Sequence, residues 1–172
     1  MKERLDALKV ALANEIREHE FYLNNARRTL NPLGKAMFEQ IGAEELEHYE
    51  RLKQLSESWK KQEKWPVSVP LKVSNTIVRD IFKEALKKSS TMPPGDADDL
   101  KALRTAIDFE AKGADLYAHL RDVSTDPREK AFFDLLTSIE QEHYASLRDT
   151  EEYFIDPAGW YQKTERGVLD GA

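Results

Sequence analysis

The sequence predicts an all-α chain: a four-helix bundle of two duplicated helical hairpins, joined by a long crossover that contains a short helix. Three observations predict it. The chain matches itself when shifted by 95 residues. Apolar side chains recur at alternating three- and four-residue steps in four long stretches. The breakers between those stretches suit two tight turns and one long connection.

The self-match is gapless over residues 5–52, where 15 of 48 positions are identical to those 95 further on. Leu5, Leu8, Ala11, Glu15 and Tyr22 fall on Leu100, Leu103, Ala106, Glu110 and Tyr117. Pro32, Phe38, Glu45, His48 and Leu52 fall on Pro127, Phe133, Glu140, His143 and Leu147. Internal duplication is the direct explanation.

The first helix carries Leu5, Leu8, Leu12, Glu15, His19 and Tyr22 at helical spacing. "LNPLG" ends it, with Asn31 as the next N-cap and Pro32 at the first helical position. Phe38, Ile41, Glu45, His48, Leu52 and Leu55 form the stripe of the second helix. A crossover over about 62–97 follows. "WPVSVPLKVSN" cannot be helix interior. "TIVRDIFKEALKK" places Ile77, Val78, Ile81, Phe82, Ala85 and Leu86 on one side and predicts a short amphipathic helix. "SSTMPPGDADD" breaks the chain again. A connection this long lets the third long helix run parallel to the second. That helix carries Leu103, Ala106, Glu110 and Tyr117, and "TDPRE" is its cap and turn, with Asp126 and Glu129 at capping-box spacing. Phe133, Leu136, Glu140, His143 and Leu147 mark the fourth. The bundle is expected over residues 1–154. Residues 155–172 form a tail whose Trp160 and Tyr161 dock on the bundle or on a partner subunit.

Composition narrows the function classes. The chain has 172 residues, 34% charged, with a net charge of −6, so nucleic acid and anionic membranes are not expected partners. No apolar run approaches the roughly 18 residues of a spanning helix, and "MKERLDALKV" lacks a signal-peptide core. With no cysteine, disulfides, thiolate metal sites and Cys nucleophiles are excluded. A cytoplasmic location is the simplest expectation.

Polar residues interrupt the apolar stripes. Glu15, Glu45, His48, Glu110, Glu140 and His143 stand where Leu or Phe belongs. Four buried carboxylates cost several kcal/mol each unless compensated, and the same faces carry no Lys or Arg near them. Two divalent cations would supply the missing charge. Glu and His three apart share a helical face. Glu15 to Glu45 and Glu110 to Glu140 are both 30 residues, which brings each lone Glu level with its neighbour's Glu-x-x-His. One Glu from each of two helices and Glu-x-x-His from each of two others is the pattern of carboxylate dimetal bundles.

"ALANEIREHEFY", "GAEELEHYERL", "AIDFEAKGADLYAHL" and "SIEQEHYASL" together carry a resemblance. Across residues 1–154 the chain resembles the rubrerythrin family of ferritin-like di-iron carboxylate proteins. The resemblance implies a ferritin-like bundle with two iron ions, cycling between Fe2+ and Fe3+ and reducing hydrogen peroxide (or dioxygen). Manganese and zinc suit the same donors in purified protein. It further implies that Glu45 and Glu140 bridge the metals, with Glu15 and His48, and Glu110 and His143, as terminal ligands.

Two departures stand out. A full rubrerythrin has a rubredoxin domain with four cysteines, so this chain is expected to take electrons from an external donor such as a rubredoxin-like protein. Rubrerythrins also place an extra carboxylate one turn after the third-helix Glu, where this chain has Gly113. The position related by duplication is Glu18, a candidate seventh ligand. A homodimer, with hairpins paired within a chain or swapped between two, is the expected assembly.

Other residues invite plainer explanations. Tyr22 and Tyr117 either pack in the core or donate to a ligand carboxylate. Glu44, Glu47 and Glu142 are expected on the solvated surface, and His19 in packing or at the surface. His119 has no ligand-like context. Trp65 is expected to be structural or at an interface. Besides peroxide reduction, two functions fit the same ligands: a ferroxidase or iron storage or transfer protein, and a non-catalytic bundle held together by metal.

Overall fold

The computed structural model describes residues 2–62, 72–88 and 94–169. Among them are six helices and no strands: α1 Lys2–Arg28, α2 Pro32–Gln62, α3 Val78–Lys88, α4 Ala97–Val123, α5 Pro127–Ile155 and α6 Pro157–Leu169. α1 packs along α2 and α4 along α5, the two hairpins of the duplication. The fold is the all-α, ferritin-like bundle that the sequence predicts. Trp65 lies outside the described residues.

Capping chemistry explains where the helices begin. Asn31 Oδ1 accepts from the backbone N–H groups of Leu33 (3.0 Å) and Gly34 (3.1 Å). Asp126 does the same for Arg128 at 2.9 Å, ahead of Pro127. α4 opens with a reciprocal capping box: Asp96 accepts from Asp99 N–H at 2.7 Å and Asp99 from Asp96 N–H at 3.3 Å. Arg28, from the end of α1, donates to the buried Asp99 at 2.7 Å and ties the hairpins together.

One expectation needs correction, at the start of α3. Ile77 is 49% exposed and precedes α3, while Val78 and Phe82 carry the buried face of that helix. Ile77 acts as a cap residue, its carbonyl accepting from Asp80 and Ile81, so its side chain is outside the apolar stripe. The tail after α5 is itself helical. Asp156 caps α6 through Gly159 N–H at 3.0 Å, and Pro157 occupies its first position. Trp160 of α6 meets the rings of Phe82 (5.4 Å) and Tyr153 (5.8 Å), so α3, α5 and α6 share one aromatic cluster.

The core has two apolar halves. One contains Leu33, Phe38 and Ile41 of α2, Leu103 and Ala106 of α4, Tyr22 of α1 and Leu147 of α5. The other contains Leu8 and Ala11 of α1, Leu52 and Leu55 of α2, Tyr117 of α4, and Phe133 and Leu136 of α5. Early residues of both α2 and α4 lie in the first half and late ones in the second, so these helices run the same way, as a crossover requires. The 95-residue shift exchanges the halves, Leu8 with Leu103 and Tyr22 with Tyr117. On every long helix the boundary between them falls at Glu15, Glu45 and His48, Glu110, or Glu140 and His143.

Candidate metal centre

Burial makes this boundary layer unusual. Glu15, Glu45, Glu110, Glu140, His48 and His143 are each at most 2% exposed. Their donor atoms form two overlapping groups, each with one ligand atom per residue and all atoms within 4.8 Å of one another. One contains Glu15, Glu45, His48 and Glu140; the other contains Glu45, Glu110, Glu140 and His143. Glu45 and Glu140 belong to both.

The imidazoles converge through the same ring nitrogen. His48 Nδ1 lies 3.0 Å from Glu45 Oε2, 3.3 Å from Glu15 Oε2 and 3.5 Å from Glu140 Oε1. His143 Nδ1 lies 3.2 Å from both Glu110 Oε2 and Glu45 Oε1, and 4.0 Å from Glu140 Oε2. Each lone Glu is held from the opposite hairpin: Tyr22 donates to Glu110 and Tyr117 donates to Glu15. Both tyrosines are fully buried in the apolar halves, so each packs in the core and holds a carboxylate as well.

The donor set lacks its counter-charge. Among the described residues no Lys or Arg lies within ion-pair distance of Glu15, Glu45, Glu110 or Glu140; the only basic partners there are the two imidazoles. Glu15 Oε2, Glu45 Oε1 and Glu140 Oε1 are buried without a hydrogen bond. Such atoms are costly unless something not made of protein satisfies them.

Protonation shows how strained the metal-free cluster is. Burial, then the Glu45 charge, pushes the Glu15 carboxyl well above the ordinary range. Burial, then Glu45 and Glu110, does the same to Glu140. Burial also opposes charge on Glu45, but His48 and His143 outweigh it and hold Glu45 well below that range. Burial would lower both histidines, yet the surrounding carboxylates, Glu45 first for His48 and Glu110 first for His143, raise them well above normal. Protons thus stand in for cations. Carboxylate and imidazole donors with unsatisfied oxygens fit hard or borderline divalent metals, iron among them.

The remaining candidates separate clearly. Glu18 is 4% exposed but belongs to neither four-residue group. Arg17 donates to it at 3.1 Å, and the charges that raise its carboxyl most are Glu45 and Glu110. A Cβ on its counterpart Gly113 would lie 3.3 Å from Glu140 Oε2, so a bare backbone there leaves room for Glu140. His19 is half-buried, its Nδ1 2.5 Å from the Gly42 carbonyl, and His119 is exposed. Glu47 accepts from Ser74, and Glu142 pairs with Arg79 at 2.9 Å.

Glu44 overturns its surface assignment. It is 7% exposed and lies 2.5 Å from His143 Nε2. One signal could have found it: its counterpart under the shift is Ile139, whose apolar side chain marks a buried position.

No described helix is long and apolar enough to cross a membrane. Comparison with curated proteins and with solved structures found no match. The Rubrerythrin family model matches residues 6–151, a span that contains all six candidate ligands. With that match and a buried carboxylate–histidine cluster of this shape, the chain belongs to the rubrerythrin family, whose members are di-iron proteins.

Proposed function

We propose that this protein is a non-haem di-iron oxidoreductase that reduces hydrogen peroxide (or dioxygen) with electrons from a separate donor protein such as a rubredoxin-like one. One observation carries the proposal: two overlapping donor groups share Glu45 and Glu140 and leave three buried carboxylate oxygens without a hydrogen bond. Glu15 and His48 would hold one iron, Glu110 and His143 the other, and Glu45 and Glu140 both. Bound there as a ferrous pair, the metal would supply the two electrons that, with two protons, convert one peroxide into two waters.

The chain's own residues provide the setting. Tyr22 and Tyr117 orient Glu110 and Glu15 through their hydroxyl protons. The apolar halves exclude bulk water from both ends of the layer, so charge–charge interactions there are strong. Glu18 would be a seventh protein ligand and a fifth carboxylate, with Glu45 and Glu110 the carboxylates whose charge it feels most. We place the protein in the cytoplasm as a homodimer, working without nucleic acid or membrane.

Metal analysis and stopped-flow spectroscopy test this. The purified chain should bind two irons, and its reduced form should be oxidised by stoichiometric peroxide. Glu45→Ala with Glu140→Ala should abolish loading of at least one ion. Two ions retained in the double variant would refute the site. A fully loaded, reduced protein inert to peroxide would favour the metal-stabilised bundle instead. Rapid oxidation by dioxygen with release of ferric iron would favour iron handling.

A further inference from the structure

His48 and His143 are equivalent under the 95-residue shift, yet their surroundings differ. His143 Nε2 lies 2.5 Å from Glu44 Oε2, both groups buried. Among the described residues, every carboxylate within 4.0 Å of the His48 ring lies at its Nδ1. At the position that mirrors Glu44, the second hairpin has the core residue Ile139.

Glu44 is also fixed in place. Its other oxygen accepts from Gln40 Nε2 at 2.6 Å and from the Ile77 backbone N–H at 3.3 Å. The carboxylate is therefore held from α2 and from the entry to α3, and it presents a rigid acceptor to the imidazole. The first hairpin builds this device and the second does not: Gln40 and Glu44 correspond to Leu135 and Ile139.

A histidine that binds a metal through Nδ1 keeps its proton on Nε2. An acceptor at that proton fixes the tautomer and ring orientation and makes the imidazole a stronger donor. We propose that Glu44 is a positioning residue that makes the two metal positions unequal: acting through His143, it makes the Glu45, Glu110, Glu140 and His143 group the tighter position, filled first. The Glu15, Glu45, His48 and Glu140 group is then the weaker, more exchangeable position. This rests on the dimetal reading above. Glu44 itself touches no metal.

The test is an anaerobic titration of the metal-free full chain with Co2+, followed by its visible bands and by the paramagnetically shifted histidine N–H resonances. The wild type should take up two ions with distinct affinities. Glu44→Leu should weaken the tighter ion about 10–100-fold, the usual effect of losing such a partner, and leave the other unchanged. Its His143 N–H resonance should exchange rapidly with water. Glu44→Gln, which keeps an oxygen acceptor but no charge, should narrow the affinity gap only part-way and keep that N–H slow to exchange. A wild-type chain that binds two ions with equal affinity overturns the inference, as does Glu44→Leu weakening both ions alike or neither. Should Glu44→Leu fail to fold, an undiminished gap in Glu44→Gln overturns it. Fewer than two ions on the wild type would instead overturn the dimetal reading itself.

Discussion

Glu18 and Gly113 occupy equivalent places in the two halves, and only one of them carries a charge into the buried layer. Burial, then Glu45 and Glu110, pushes the Glu18 carboxyl up to about 7 from an ordinary 4.5, with Arg17 relieving part of the effect. The folded chain thus holds this proton more tightly than the unfolded one. The associated stability is complete below pH 4.5 and is lost as pH rises to about 7. The shift corresponds to a loss on the order of 3 kcal/mol. Metal-free Glu18→Gln should therefore be more stable than metal-free wild type at pH 8, with the advantage shrinking toward pH 5. Urea unfolding at both pH values checks this; an advantage independent of pH would show that Glu18 titrates normally. The six buried Glu and His of the candidate site were legible because their spacing repeats in both halves and because charge on an apolar stripe needs an explanation. Glu44 was not, since it flanks the stripe beside Glu45 and looks like a surface acid when read alone.

Among the helices, the four long ones could be read from the sequence because each carries an apolar stripe broken only by its buried Glu and His, and α2, α4 and α5 begin at a Pro or a capping side chain. α6 could not: Pro157 and Gly159 look like breakers in the sequence, but they form its start. Pro fits the first turn, where no N–H partner is needed. A Cβ at position 159 would meet Asp156 Oδ2 at 2.2 Å, so Gly159 leaves the capping carboxylate its space. The start of α4 shows the same kind of requirement. Gly95 precedes the capping box, and a Cβ there would fall 1.9 Å from Cδ2 of the buried Phe154. Gly95→Ala should consequently displace Phe154 or the entry to α4 and cost about 1–3 kcal/mol, the usual range for overpacking. The thermal midpoint should fall by roughly 2–4 °C per kcal/mol for a chain of this size. Metal stoichiometry should stay at the wild-type value, because Phe154 belongs to one apolar half and not to the ligand layer. A midpoint equal to wild type would show that the ring yields freely.

For the whole molecule, a polar layer between two apolar halves sets the terms of stability. Duplication makes the centre of that layer twofold, so Glu15 and Glu45 are buried again as Glu110 and Glu140, and no Lys or Arg in the described structure pairs with those four. Without metal, burial and neighbouring carboxylates favour the protonated forms of Glu15 and Glu140, and the carboxylates outweigh burial to favour those of His48 and His143. Groups with raised folded pKa values give their full stabilisation below their unfolded values, about 4.5 for the carboxyls and 6.5 for the histidines. They lose it as pH climbs through the folded ones. The depressed Glu45 works the other way, but its contribution is lost only in acid, as pH falls below its ordinary 4.5. Metal-free protein should thus weaken from neutral to alkaline pH. Metal ions gain in the same range, because their ligands must be deprotonated. At free metal a thousandfold above Kd, binding one ion adds about 4 kcal/mol, or roughly 8–16 °C at this chain length. Chelator should therefore lower the melting midpoint by about that much per ion at pH 8, and by clearly less at pH 6. Scanning calorimetry with and without chelator at the two pH values decides the matter. Superimposable curves at pH 8 would mean that the buried layer is satisfied without metal.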